Sequence, residues 1–143
     1  MPDTAFPIAP NAPVDPRLRP LVGWPLFALP GADGALAWPD LATSVRDGLR
    51  VLLATRPGEQ LMRPDFGAGL DSLLHEPNTL ETRRRVRDLV QSSIERWEKR
   101  VALDRVEVWE VAGEPSHLRV EIAYRLVRTG AHAAFAFALQ LEA

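Results

Sequence analysis

Two stretches of the chain carry apolar residues at the spacing of an α-helix. In residues 40–54 the apolar positions recur at intervals of 4, 4, 3 and 1: Leu41, Val45, Leu49, Leu52 and Leu53. They form one stripe of a 3.6-residue helix, and three charged residues lie off that stripe, namely Arg46, Asp47 and Arg50. Asp40 suits the N-cap position, and Pro57-Gly58 ends the pattern. We therefore predict a helix from Asp40 to Ala54 whose stripe faces the core.

The second helical pattern follows Pro77. One face carries Val86, Leu89, Val90, Ser93, Ile94 and Trp97, and the charged residues between them point away from it. The order Asn78-Thr79-Leu80-Glu81 is typical of a capping box, in which Asn78 accepts an amide hydrogen bond and Glu81 reaches back. We therefore predict a helix that is capped by Asn78 and leads to Trp97.

The last third of the chain alternates apolar and polar residues with the period of a β-strand. Three strands are predicted, at Arg105–Val111, His117–Val127 and about 135–141, separated by breaks at 113–116 and 129–132. On the middle strand one face holds Leu118, Val120, Ile122, Tyr124 and Leu126. On the last strand the second face holds only small residues and Gln140, with alanine at 134, 136 and 138. This bare face either accepts a partner's strand at a sheet edge or packs against the N-terminal part or solvent.

The N-terminal part differs in composition from the rest. Residues 1–20 contain six prolines and little apolar surface, which predicts a stiff, extended arm. The arm is either a disordered tail or a segment that orders against a neighbouring subunit. From Leu21 to Trp38, two apolar runs surround Asp33-Gly34, a pair that suits a tight hairpin turn, so we predict a small hairpin there.

These elements predict an α+β fold. Two main helices pack on a small, mostly antiparallel sheet that ends in a C-terminal three-stranded meander, preceded by the proline-rich arm. With 143 residues, of which 46% are hydrophobic, the chain can bury one core. We therefore expect residues 21–143 to form one domain and residues 1–20 to lie outside it.

The connection between the helices, Thr55 to Leu70, is unusual for its length. Its sixteen residues include two prolines and three glycines, so it is a shaped loop and not part of a helix. Pro57-Gly58 suits the centre of a type II turn. Four apolar residues are expected to pin the loop onto the core: Leu61, Met62, Phe66 and Leu70. A long loop of this kind inside a compact domain is usually functional.

The run from Leu52 to Gly67 resembles the signature of the baseplate wedge family of contractile phage tails. That family also occurs in type VI secretion systems, as TssE, and in extracellular contractile injection systems. Its signature combines Leu-x-Thr-x-x-Gly-Glu-Arg with Arg-Pro-x-(Phe/Tyr)-Gly, and here Gln60 replaces the first arginine. Glu98-Lys99-Arg100 is similar to the family's Glu-Pro-Arg motif, with Lys99 in place of proline, so the second helix is expected to continue a residue or two further. The segment from Gly23 to Gly34 extends the resemblance.

The resemblance implies a structural wedge subunit that joins the baseplate to the first sheath ring and initiates sheath assembly. It implies as partners the other wedge proteins, which form a core bundle, and the sheath protein, with tube and hub proteins as further candidates. We expect several copies, six in number, around each baseplate, and assembly in the cytoplasm. Nine residues are predicted to bind partners: Thr55, Gly58, Glu59, Arg63, Pro64, Phe66, Gly67, Glu98 and Arg100.

The charged members of this set suggest a network. Glu98 and Arg100 are two residues apart, so their side chains would diverge on a helix but can converge on a bend. On such a bend they could join Glu59 and Arg63 through charge-assisted hydrogen bonds.

Composition argues against several other classes of function. The net charge of −2 gives no reason to propose nucleic acid or an anionic membrane as partner. The absence of cysteine excludes disulfides, thiolate metal sites and a cysteine nucleophile, and the three histidines lack metal-ligand spacing. We predict no catalytic residue, cofactor or metal.

The alternatives are a peptidoglycan-cleaving, lysozyme-type tail enzyme and a cytoplasmic adaptor unrelated to tails. An enzyme would need a facing pair of carboxylates, and spacing selects no pair from Glu59, Asp65, Glu76 and Glu98.

Overall fold

The computed structural model describes residues 23–141, so the predicted arm at residues 1–20 lies outside the described residues. Within this range the elements in chain order are helix α1 (Leu41–Ala54), a short 3-10 helix (Leu70–Leu73), helix α2 (Leu80–Trp97) and strands β1 (Val101–Val111), β2 (Glu114–Leu126) and β3 (His132–Gln140). The fold is α+β, as predicted. None of the helices in this part of the chain combines the length and the apolar composition that crossing a bilayer would require.

The sheet is the predicted antiparallel meander. Its order is β1-β2-β3, and one ladder of the sheet runs through Val106, Ile122 and Phe135. The first strand begins four residues before its predicted start and contains a bulge between Leu103 and Arg105. The second strand begins at Glu114, because the first turn needs only Ala112 and Gly113, the latter with φ of 82°.

The core lies between the helices and one face of the sheet. The predicted stripes of both helices are confirmed, since Val45, Leu49, Val86 and Val90 have no exposed surface. The predicted inner face of β2 is equally buried, with exposed fractions between 0% and 4% for Leu118, Val120, Ile122, Tyr124 and Leu126. Burial of these side chains is the main stabilising term, at about 1.5–3 kcal/mol for each large apolar side chain.

The helix ends follow local hydrogen bonding. Asp40 caps α1 as predicted, and its carboxylate accepts a hydrogen bond from the Thr43 amide at 2.8 Å. The predicted cap of α2 is wrong by one residue: Thr79 accepts the Thr82 amide at 3.1 Å. Asn78 is used differently, because its side chain donates to the Pro115 carbonyl and accepts from Arg83, which ties the helix start to the sheet.

The expected extension of α2 beyond Trp97 does not occur. The helix ends at Trp97 and Glu98 is its C-cap, with φ of −107° and ψ of 83°. The chain therefore bends at the Glu98 position although Lys99 stands where the family has proline. The bend is stabilised by an ion pair between the side chains of Glu98 and Arg100.

The predicted hairpin at 21–38 is wrong for the described residues, because residues 23–38 contain no strand. Only the turn forms: the Gly31 amide donates to the Ala35 carbonyl at 2.9 Å, and Gly34 has φ of 75°. Pro25 and Pro30 lack amide hydrogens and interrupt any ladder. The two arms are held together instead by an edge-to-face contact of Trp24 and Trp38, with ring centroids 5.4 Å apart. We call residues 23–39 the strap.

The strap explains a further difference from the sequence prediction. Asp47 was expected to point away from the core, yet only 8% of its surface is exposed. Ser44, one turn earlier on α1, is also buried. The strap covers this flank of α1: a Cβ atom on Gly23 would lie 1.8 Å from the Ser44 hydroxyl oxygen. Helical periodicity alone does not indicate such a cover.

We expect the stability of the protein to fall in alkaline solution through Tyr124, the only tyrosine in the chain. Burial raises the pKa of Tyr124, and the nearby Glu98 carboxylate raises it further, while Arg46 lowers it. The folded state therefore favours the neutral phenol. The contribution of Tyr124 is fully present below its ordinary pKa of about 10 and is lost as the pH rises through the raised pKa.

Tyrosinate absorbance and chemical denaturation, measured across the alkaline range, test this expectation. Ionisation of Tyr124 should coincide with unfolding, and Tyr124→Phe should flatten the decline of the unfolding free energy above about pH 10. An unshifted titration of Tyr124 in the folded protein would contradict the prediction.

Candidate functional site

The connection between the helices is a chain of tight turns. Thr55 ends α1, and its amide and hydroxyl both donate to the Val51 carbonyl, at 3.0 and 2.6 Å. The predicted turn at Pro57-Gly58 is confirmed: the Glu59 amide donates to the Arg56 carbonyl at 3.1 Å, and Gly58 has φ of 95°. The Gly58 amide then donates to the Pro64 carbonyl at 2.6 Å, which closes the loop on itself.

Gly67 fixes the return of this loop to α1. Its φ is 122°, a conformation that residues with side chains rarely adopt. A Cβ atom there would lie 2.3 Å from the Thr55 carbonyl oxygen, so the two backbone segments approach closely only because residue 67 is glycine. The next residue, Ala68, is buried, and its amide donates to the Leu52 carbonyl at 3.1 Å.

The base of the loop is packed against α2. Phe66 contacts Trp97 in an edge-to-face arrangement with ring centroids 5.4 Å apart. Beside this pair, the Arg96 guanidinium lies over the Trp97 ring at 4.9 Å and binds the Asp65 carboxylate at 3.0 Å. Leu70 is buried at the start of the 3-10 helix. Phe66 and Leu70 thus do pin the loop onto the domain, as predicted.

The same expectation is wrong for Leu61 and Met62. These side chains are 96% and 94% exposed, so neither packs against the core. The hydrogen bond from the Gly58 amide to the Pro64 carbonyl closes the loop at its base. Residues 59–63 lie beyond this bond, so Leu61 and Met62 do not reach the core. The tip of the loop therefore presents two large apolar side chains to the solvent on a backbone that is hydrogen-bonded at its base.

Glu98 and Arg100 converge on the bend after α2, as expected. The Arg100 guanidinium binds the Glu98 carboxylate through two contacts, Nε to Oε1 at 2.8 Å and Nη2 to Oε2 at 2.6 Å. The Arg100 amide also donates to Oε1 at 3.2 Å. Hydrogen bonding to Glu98 raises the pKa of Arg100, so the guanidinium remains charged. Only 9% of Glu98 is exposed, whereas Arg100 is half-buried.

The third partner of this ion pair is on α1 and was not predicted. Arg100 Nη1 donates to the Ser44 hydroxyl at 2.8 Å. One turn further along α1, a Cβ atom on Gly48 would lie 3.0 Å from both Arg100 Nη2 and Glu98 Oε2. Glycine in a helix interior costs roughly 0.5–1 kcal/mol relative to alanine, so Gly48 was a signal in the sequence that something approaches α1 closely. We call Ser44, Gly48, Glu98 and Arg100 the corner.

The proposed network does not extend to Glu59 and Arg63. The Glu59 carboxylate accepts the Arg56 amide at 2.8 Å, which stabilises its own turn. Arg63 is exposed, and no hydrogen bond or ion pair in residues 23–141 joins it to the corner. The loop and the corner are therefore separate polar units that are both anchored at the C-terminal end of α2.

The four carboxylates considered for hydrolysis all have partners. Besides Glu59, Asp65 binds Arg96, Glu76 binds Arg85 and Glu98 binds Arg100. These contacts give each carboxylate a role in a turn or an ion pair. In the described part of the chain, no three histidine, aspartate or glutamate side chains are grouped as a metal ion would require.

Comparison with known proteins identifies relatives of this fold. The family described as baseplate wedge protein gp25 matches residues 39–131. A chain in the baseplate of the anti-feeding prophage is 30% identical, with a TM-score of 0.67, over 72% of this chain and 82% of that one. A crystal structure of a candidate tail lysozyme from Geobacter sulfurreducens is 24% identical, with a TM-score of 0.69, over 76% of this chain and 98% of that one. No curated protein matches the sequence.

The corner predicts an unusual response to substitution of Gly48. In an ordinary helix Gly→Ala raises stability, by roughly 0.5–1 kcal/mol. Here the added methyl group presses on the ion pair, so Gly48→Ala should lower the free energy of unfolding, by about 1 kcal/mol. Arg100→Ala removes one of the two close contacts and releases the Glu98 side chain from its fixed position, so in that background Gly48→Ala should become stabilising.

A double-mutant cycle measured by chemical denaturation tests this coupling between Gly48 and Arg100. If Gly48→Ala stabilises the unmodified protein as much as the Arg100→Ala variant, the close packing of α1 on the ion pair has no energetic significance.

Proposed function

This chain belongs to the family of baseplate wedge protein gp25, and we propose that it is a non-enzymatic structural subunit of the baseplate of a contractile injection machine. In this proposal it joins the baseplate to the first ring of sheath subunits. It uses two surfaces: the loop between the helices contacts the other wedge proteins, and the outer edge of β3 receives the sheath protein.

The observation that carries the first part is the exposure of Leu61 and Met62. In the isolated protein, large apolar side chains that are more than nine-tenths exposed contribute almost no hydrophobic stabilisation. Their burial in a partner would contribute about 1.5–3 kcal/mol each. Because the loop is closed by the Gly58–Pro64 hydrogen bond and held by Phe66, little backbone entropy is lost when it binds.

The nine residues predicted to bind partners divide into two groups on this view. Gly58, Glu59, Arg63 and Pro64 are exposed around the tip of the loop, where they can contact another protein. The other five are half-buried or buried and act by positioning: Thr55, Phe66, Gly67, Glu98 and Arg100. For Glu98 and Arg100, we propose that their role in assembly is to hold α1, α2 and β1 in the arrangement that orients the loop.

The second part rests on the edge of the sheet. In the order β1-β2-β3, the outer edge of β3 pairs with no other strand among residues 23–141. Its outward face carries Ala134, Ala136 and Ala138, whose small side chains leave the strand accessible. Natural proteins usually protect such edges with charges or proline, so an unprotected edge favours strand addition by a partner. We propose that the sheath protein supplies that strand and that sheath assembly starts there.

The environment of the acidic residues supports the non-enzymatic role. A glycosidase of the common type needs two facing carboxylates, one of which remains protonated near neutral pH. Glu59, Asp65, Glu76 and Glu98 instead bind an amide or an arginine. The likeness to a candidate tail lysozyme, at 24% identity, concerns the fold. A turbidity assay on purified cell walls tests this part, and clearance by the purified chain would contradict it.

We further propose that the chain enters the particle during assembly in the cytoplasm, in six copies around the baseplate. Partners other than the wedge proteins and the sheath, such as tube and hub proteins, would be contacted in the completed particle. Quantitative mass spectrometry of purified particles measures the copy number against the sheath protein.

Replacing both apolar residues at the tip of the loop should abolish incorporation into baseplates. The Leu61→Ser/Met62→Ser variant should keep the melting temperature of the unmodified protein, because neither side chain packs in the folded domain. It should fail to copurify with coexpressed wedge proteins, and contractile particles should be absent by electron microscopy. Val127→Ser, which changes an apolar residue that is 62% exposed in the turn before β3, is the matched control. Normal particles with the double variant would refute the role of the loop.

A charged residue on β3 should interfere with sheath polymerisation, the step that follows baseplate assembly. With Ala136→Lys, the chain should still copurify with the wedge proteins, but sheath polymerisation on isolated baseplates should be reduced, because charged edges disfavour strand addition. Ala112→Lys, at the exposed turn between β1 and β2, provides the control. Unchanged sheath assembly with Ala136→Lys would argue against strand pairing at β3.

A further inference from the structure

A groove separates the strap from helix α1. Its walls are formed by Pro25, Phe27, Trp38 and Pro39 from the strap and by Asp47 from the helix. None of these residues belongs to the loop or to the β3 edge. The groove is therefore a surface that the proposed function does not use.

The groove has room for a side chain from another polypeptide, since it encloses about 520 Å³ and is open to solvent on one side. Two aromatic residues line it and remain partly exposed, Phe27 at 57% and Trp38 at 49%. The Trp38 ring is held in place by its edge-to-face contact with Trp24. Pro25 and Pro39 contribute walls without amide hydrogens, so they offer an anion no hydrogen-bond donor.

The one charged side chain that is buried against this groove is the carboxylate of Asp47. The residue is 92% buried, since 8% of its surface is exposed, and it forms no hydrogen bond or ion pair with any residue in the described range 23–141. Glu98, which is buried to the same degree, has Arg100 as a partner. The Asp47 oxygens keep contact with solvent, since no fully buried side-chain oxygen in the described residues lacks a hydrogen-bond partner. An incoming cation would therefore meet a carboxylate that is mostly enclosed by protein and is not already paired.

We propose that this groove binds an arginine side chain carried by another polypeptide. The guanidinium would form hydrogen bonds with the Asp47 carboxylate, and its planar surface would stack on Trp38 or Phe27. The apolar stem of the arginine would lie along the proline walls. Arginine fits better than lysine, because a guanidinium is more weakly hydrated and can bind a carboxylate through two parallel hydrogen bonds.

The first experiment measures the thermal stability of the full chain with Asp47→Asn. Because Asp47 has no partner among residues 23–141, removing its charge should leave the melting temperature unchanged or raise it. Asp88→Asn is the matched control: Asp88 is an exposed helical carboxylate that binds Arg87 at 3.1 Å, and its substitution should have little effect. A lower melting temperature for Asp47→Asn would show that the carboxylate has a stabilising partner inside the protein, which would overturn the proposal.

The second experiment measures binding of a blocked Gly-Arg-Gly peptide to the full chain by NMR titration of the tryptophan indole signals. The Trp38 signal should shift on binding, and the affinity should fall at least tenfold with Asp47→Asn but not with Asp88→Asn. A peptide with citrulline, which is uncharged but similar in shape, should bind at least tenfold more weakly. No binding by the arginine peptide, or equal affinity for both peptides or for Asp47→Asn, would overturn the proposal.

Discussion

The arrangement of the domain depends on the ion pair between Glu98 and Arg100. It forms where α2 ends and β1 begins, and its guanidinium also binds Ser44 of α1. One contact set thus fixes the bend of the chain and the position of both helices relative to the sheet. The pair is stable there because the carboxylate is shielded from water while its oxygens are bound by the guanidinium and the Arg100 amide. Gly48 is the part of α1 that permits this approach.

The same region positions the loop between the helices. Phe66 packs on Trp97 at the end of α2, one residue before Glu98, and Gly67 brings the backbone against Thr55. The loop therefore starts from α1 and rests on α2, the two helices that the ion pair holds together. Its exposed tip can be rigid because its base is fixed on both sides. In the proposed role as a baseplate subunit, such rigidity would lower the entropy lost on assembly.

Two buried carboxylates on this domain have opposite environments. Glu98 is bound by arginine and serves the fold, whereas Asp47 faces a groove with aromatic walls and has no partner among residues 23–141. Glu98 therefore helps to hold the fold together, whereas we propose Asp47 as a contact for another molecule. Leu61 and Met62 likewise pack against nothing in the described part of the chain, which is why we propose both places as contacts for other proteins.

The sequence by itself determined the two helices, the three strands, the Asp40 cap and the turn at Pro57-Gly58, because spacing and local backbone preference act over a few residues. It also indicated that Glu98 and Arg100 would converge. Only the tertiary structure decided that Arg100 contacts Ser44 and that Thr79, not Asn78, caps α2. It also decided that Leu61 and Met62 are exposed and that Asp47 is buried. These features depend on which distant segment covers or contacts a side chain, and periodicity along the chain carries no information about that segment.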